Sequence, residues 1–299
     1  MTEDLATTTK ELMVRLDENG VPYIRDGNVV TWYERIGPAR AEQILKTYKV
    51  DYRKYRESYG QGLARDMVNG YWNFDGSPVR IDINGNLFDG SHRQHAIVLS
   101  GTTQLFLMIA GLPVEAYNTA DTGLARNYGD TLRRRGFQNA NARTALVKLI
   151  RRWEDGRSLD DTQRYTPSEL DETHDKYVDT ISRAVAKTMS TQRKVDMPGA
   201  LVSFSWWKLS QLDIADAQTF LIGLAEGENI RRGMPVYTLR ERLNRERDTK
   251  LTRMQFMHLV FEAWNAFRTV LPNGEREQIH RLTIPAGITI PRIKLIEPK

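Results

Sequence analysis

The chain has 299 residues, of which 40% are hydrophobic, 27% charged and 9% aromatic, with a net charge of +5. These are the proportions of a folded protein with room for one large domain or two modest ones, and they exclude a disordered chain or a collagen-like repeat. The absence of cysteine excludes disulfides, zinc ribbons, iron–sulfur centres and a thiol nucleophile.

The opening Met1-Thr2-Glu3-Asp4 is acidic where a secretory signal would be basic. The longest apolar run, residues 105–114, falls short of the roughly 20 residues that cross a bilayer. A soluble, cytoplasmic protein without a membrane partner is the expectation. Residues 1–21 are polar and read as a flexible N-terminus. Tyr23-Ile24 and the run 29–33 flank Asp26-Gly27-Asn28, a turn between two strands. Gly37-Pro38 opens a helix whose apolar face is Ala41, Ile44, Leu45 and Tyr48. A second helix over 62–69 stops at Asn69-Gly70. Residues 79–83 alternate as a half-buried strand, Asn84-Gly85-Asn86 turns the chain, and Leu87-Phe88 returns it. A tight turn at Asp89-Gly90 leads into a helix that ends near Gly101, followed by a strand over 104–110.

Beyond residue 126 strand signals nearly vanish. Helices are expected over 142–154, 167–189, 198–211, 214–224, 235–247 and 253–270, with Pro167, Pro198 and Pro235 near three of the starts. The tail, 281–299, carries Pro285, Pro291 and Pro298 and reads as extended. The resulting division is a flexible 1–21, a mixed α/β domain over 22–125, a helical domain over 126–280 and the tail.

Charge is unevenly placed: residues 126–157 sum to +6, 158–230 to −5 and 231–299 to +7. Arg133, Arg134 and Arg135 precede Arg143, Lys148, Arg151 and Arg152, several of which share a helical face by spacing. Such a face can hold nucleic-acid phosphates by counterion release, or it can be a solvated surface. In the later cluster of Arg240, Arg242, Arg245, Arg247, Lys250 and Arg253, the interleaved acids predict intrahelical ion pairs. Trp206 and Trp207 read as packing, and Asp121 and Arg126 as a pair or as the border of a site.

The stretch that carries chemistry is Asp89-Gly90-Ser91-His92-Arg93. Gly90 permits a sharp turn, and Ser91 can cap the helix or reach an anion. The first amides of that helix stand at the positive end of its dipole. His92 offers proton exchange, Arg93 a permanently charged fork for phosphate oxygens, and Asp89 a carboxylate for a magnesium-bound water or for orienting His92. The same residues also suit an ordinary Asp-Gly turn with a Ser cap. The phosphate loop G-x-x-x-x-G-K-[ST], a G-x-G-x-x-G after a strand and the G-x-S-x-G elbow are all absent.

The run Phe88-Asp89-Gly90-Ser91-His92-Arg93-Gln94-His95-Ala96 resembles the D-G-x-H-R box of the ParB N-terminal/sulfiredoxin superfamily. Arg65 to Trp72 and Gly111-Leu112 fit the same picture, and the downstream Glu262-Ala263-Trp264-Asn265-Ala266-Phe267 resembles a segment of ParB-like proteins of phages and mobile elements. The resemblance implies an α+β protein: a ParB/sulfiredoxin-like mixed α/β domain followed by a mostly α-helical one. It implies that Gly90, Ser91, His92 and Arg93 bind the phosphates of a nucleoside triphosphate, ATP or CTP. Asp89 would support Mg2+, and Asp89, His92 and Arg93 would carry any hydrolysis or phosphoryl transfer. DNA and a nucleotide are the implied partners, with a homodimer left open and, for a phage protein, the host cytoplasm as location. A non-catalytic DNA-binding module and a ParB-like nuclease are the alternatives. Two departures stand out: without the sulfiredoxin cysteine, sulfinic acid reduction is excluded, and position 91 is Ser where phage relatives usually carry Gln.

Overall fold

The computed structural model describes residues 14–48, 55–118, 120, 127–191, 197–245, 251–269, 271 and 277–287. Asp121, Arg126, Arg247, Lys250 and the tail beyond residue 287 lie outside the described residues. The chain divides into two compact units, Met1–Ala125 with Gln163–Ser168, and Arg126–Thr162 with Glu169–Lys299.

The first unit is built on a six-stranded mixed sheet in the order β1-β2-β3-β6-β4-β5. Strand β1 (Val14–Leu16) pairs antiparallel with β2 (Pro22–Asp26) and so lies inside the stretch expected to be flexible. Gly27, at φ +58°, and Asn28 close the hairpin to β3 (Val29–Ile36), with Asp26 opposite Val29. Helices α1 (Pro38–Thr47) and α2 (Glu57–Val68) follow. Strand β4 (Pro78–Asp82) then turns into β5 (Leu87–Asp89). The buried Asp82 carboxylate organises that turn by accepting from the backbone N–H groups of Asn84 and Asn86 and from the Asn86 amide. Helix α3 (Ser91–Ser100) leads to β6 (Gln104–Leu112), which pairs antiparallel with β3 and parallel with β4.

The apolar residues that gave these segments their periodicity form one core. Ile36, Ala41, Ile44, Val79, Ile97, Phe106 and Met108 are all 0–1% exposed within it. Residues 163–168 were expected in the helical domain but belong here. The Thr166 hydroxyl donates to the buried Asp66 carboxylate at 2.6 Å, and Arg65 donates to the Arg164 carbonyl at 3.3 Å. A buried carboxylate needs such a donor, and the chain returns to supply it.

The described residues of the second unit are helical, apart from the connecting segments. They form α4 (Tyr128–Arg134), α5 (Ala140–Glu154), α6 (Pro167–Lys176), which starts at the unit boundary, and α7 (Val178–Ser190). Helices α8 (Gly199–Leu209), α9 (Ile214–Glu226), α10 (Pro235–Arg245) and α11 (Arg253–Arg268) complete them. Short α4 was not anticipated, yet it carries a capping box in which Asn127 and Asp130 bond each other's backbone N–H. The single helix expected over 167–189 is two. At the break, Tyr177 leaves helical geometry at φ −122° and ψ 20°, its hydroxyl bonded to Glu154 and its ring edge-on to Trp207 at 5.3 Å.

Buried aromatic rings make this unit's core. Trp264, fully buried on α11, meets Phe220 edge-on at 5.4 Å. Beyond α11, the chain over 277–287 has no regular element, and Leu282 within it is 1% exposed. Arg240, expected in intrahelical pairs, instead donates to the carbonyls of Leu224 and Ala225 at 2.6 and 2.9 Å, where a cation meets the negative end of α9. Among the described residues no helix is long and apolar enough to cross a membrane.

Candidate functional site

The box lies where β5 hands over to α3, and local chemistry dictates its shape. Gly90 adopts φ +102°, and a Cβ there would stand 3.0 and 3.1 Å from the two Val79 methyls. Only glycine meets both demands. The turn sets Ser91 as the first residue of α3, 8% exposed, with no side-chain cap bond from Gly90. The first amides of the helix have no intrahelical acceptor and point along its positive end.

Asp89 is held between two guanidiniums. Its Oδ2 lies 2.9 Å from Arg80 Nη1 and its Oδ1 3.1 Å from Arg93 Nη2. The Arg93 fork also donates to the carbonyls of Ser77 and Pro78, both at 2.6 Å, and its side chain is 12% exposed. Arg93 thereby ties the start of β4 to the start of α3. The sequence suggested a phosphate clamp at Arg93, whereas this fork closes on the protein's own backbone and on Asp89. The Asp89 carboxylate, expected to support a metal ion, has both oxygens engaged by cations whose field opposes a divalent ion. The residues here do not fit a resident magnesium ion. Among the described residues no group of three or more His, Asp or Glu side chains is placed to hold a metal.

His92 Nε2 accepts from the Arg56 backbone N–H at 2.9 Å. In the neutral ring this puts the proton on Nδ1. Tyr55 and Tyr59 flank the ring at 5.3 Å each, and Tyr55 also covers His95 at 4.3 Å. Burial pushes the His95 pKa below the usual imidazole range. Gln94, one turn into α3, is 0% exposed, and neither atom of its amide has a partner among the described residues. Such a group is costly in a protein interior. Sequence reading passed over Gln94 because an amide in a helix gives no signal until its burial is known.

The basic residues expected to face nucleic acid separate into two kinds. Arg133 pairs with Asp130 at 2.6 Å, Arg135 bridges Asp171 and Asp175, and Arg151 bridges Asp155 and Glu172. Arg143 donates to the Gln138 carbonyl and the Ser182 hydroxyl, and burial lowers its pKa. These four serve the unit's own packing. Lys148 and Arg152 instead line a polar cavity of about 360 Å3 with Arg253. Arg134 lies at the end of α4. A larger, apolar cavity of about 560 Å3 lies between α7, α8 and α9, walled in part by Trp206 and Trp207. Both tryptophans are 3% exposed, as their packing role predicts. The cavity itself was not legible from their spacing.

Compared with protein-family models, with curated proteins and with solved structures, the chain matches none.

Proposed function

We propose that the chain is a ParB-like nucleoside-phosphate-binding protein that works on or beside DNA, and that its box binds the phosphate rather than performing metal-assisted hydrolysis. The observation that carries this reading is the Arg80–Asp89–Arg93 arrangement immediately before the α3 N-terminus. It pairs both oxygens of the box carboxylate and so removes the repulsion that a free carboxylate would exert at the helix N-terminus. That favours an anion. Ser91 and His92 stand in the first turn of the same helix. A nuclease, or a phosphotransferase with Asp89 as metal ligand, needs that carboxylate free, and its double pairing speaks against both.

Calorimetric titration with ATP and CTP, each with and without magnesium, tests the reading. One nucleotide is expected to bind, and His92→Ala to weaken it at least about tenfold, the worth of one good polar contact. Absence of binding by either nucleotide at millimolar concentration overturns the proposal. Nucleotide turnover that disappears in a folded Asp89→Asn variant restores the catalytic alternative.

A further inference from the structure

The polar cavity of the helical unit lies apart from the box in sequence and within a single unit. Helix α5 contributes Asn141, Thr144, Lys148 and Arg152, at spacings of three, four and four that place them along one face. Asn127 enters from the cap of α4, and Arg253 from the first turn of α11. Among the described lining residues of this recess of about 360 Å3 are three cations and no aspartate or glutamate. Cations gathered along one recess raise the potential inside it, which favours an anion there.

The neutral side chains are set to help. The Asn127 carbonyl oxygen accepts from the Asp130 N–H at 3.3 Å, and that of Asn141 from Arg133 Nη2 at 2.9 Å. Each amide thus keeps its NH2 as the remaining donor edge. The Thr144 hydroxyl oxygen is buried with no partner among the described residues. Gly129 leaves space where these groups converge: a Cβ on it would lie 2.9 Å from Asn127 Oδ1, 3.2 Å from Asn141 Oδ1 and 3.7 Å from Thr144 Oγ1. Arg253 is braced from behind, its Nη1 donating to the Leu159 carbonyl at 3.2 Å and its backbone N–H to Asp160.

We infer that this cavity is a second anion site that takes a phosphate group, free or as a terminal phosphomonoester. Three cations and a set of neutral donors match the charge and the several acceptor oxygens of such a group. The site goes beyond the box reading and does not depend on it.

The full-length chain is titrated with inorganic phosphate, a nucleoside monophosphate and a short single-stranded DNA with or without a 5′-phosphate, at constant ionic strength. Binding is followed by calorimetry and by backbone NMR. Binding is expected for at least one phosphate-bearing probe, with amide shifts at Asn141, Thr144 and Lys148. Lys148→Glu should weaken it at least about tenfold, and Thr144→Val by a smaller factor. Preference for the 5′-phosphorylated strand over the plain strand identifies a DNA end as the source; equal binding of monophosphate and phosphate identifies a small anion.

A His92→Ala variant separates the two sites. Phosphate binding that survives His92→Ala and fails in Lys148→Glu supports the cavity. Binding that survives Lys148→Glu, or no binding by any phosphate-bearing probe, overturns it. Lys148 is exposed and has no partner among the described residues, so its reversal tests the site without removing an internal contact. A matched thermal melt of each variant confirms folding.

Discussion

At Gly90 the backbone occupies a region that L-residues rarely adopt, and the missing Cβ is what lets the turn sit against Val79. Gly90→Ala adds both strain and a contact of 3.0 Å, so a loss of about 1–3 kcal/mol is expected in urea unfolding. A variant as stable as the parent would refute this account of the turn. Two residues on, the sequence places His92 and Arg93 just past the turn but does not name their partners. That His92 and Arg93 follow a sharp turn is written in Asp-Gly-Ser. That Arg93 closes on the Ser77 and Pro78 carbonyls depends on where β4 begins beside β5, a matter of register. Arginine types at suitable spacing are equally compatible with an outward clamp and an inward clasp.

Among the elements, the helices with explicit caps are the ones whose starts local chemistry fixes. Helix α11 begins with Thr252 accepting from the Gln255 N–H at 3.2 Å, while the Gln255 amide oxygen accepts from the Thr252 N–H at 2.9 Å. It carries Phe256, Phe261, Trp264 and Phe267, all buried. Removing the cap therefore loosens the start of a helix that supplies much of its unit's core. Thr252→Ala should lower stability by about 1 kcal/mol, read from the urea midpoint at unchanged slope. No change in midpoint would mean that packing alone holds the helix start. The same kind of signal, Asn127 with Asp130, starts α4 but was not read from the sequence. The break at Tyr177 was not legible, because it arises from contacts with Glu154 and Trp207, which are distant in sequence. Pairing of Arg133, Arg135 and Arg151 with acids from the same and neighbouring helices likewise removes charge that a sequence count assigns to the surface.

For the molecule as a whole, each unit contains a histidine held neutral by its surroundings. His95 in the first and His174 in the second both have pKa values lowered chiefly by burial. His174 is 0% exposed; its bond to Asp175 works in the opposite sense, and the nearby Arg135 and Arg143 add to the lowering. Above the unfolded imidazole value of about 6.5, both states are neutral and stability is full. As pH falls below that value the unfolded chain takes up protons that the native state refuses, and stability is lost, at up to about 1.4 kcal/mol per pH unit for His174 alone. Carboxylates with lowered pKa values, Glu154 and Asp175, lose their contribution only at lower pH, in the carboxylate range, while half-buried Glu262, raised chiefly by desolvation, opposes them. Melting temperature is expected to be level from pH 8 to 7 and to decline between about 6.5 and 5.5. His174→Gln should flatten that decline, and an unchanged profile would refute the assignment. The sequence by itself determined the hydrophobic periodicity, turns and caps, and hence an α+β chain with a sheet-bearing first part and a helical second. These are encoded within a few residues of one another. Only the tertiary structure decided that residues 163–168 join the sheet-bearing unit, that Arg93 closes on the Ser77 and Pro78 carbonyls, and that Arg253 and Lys148 line one cavity. Each of those depends on residues that are neighbours in space through packing, and side-chain spacing along the chain carries no record of it.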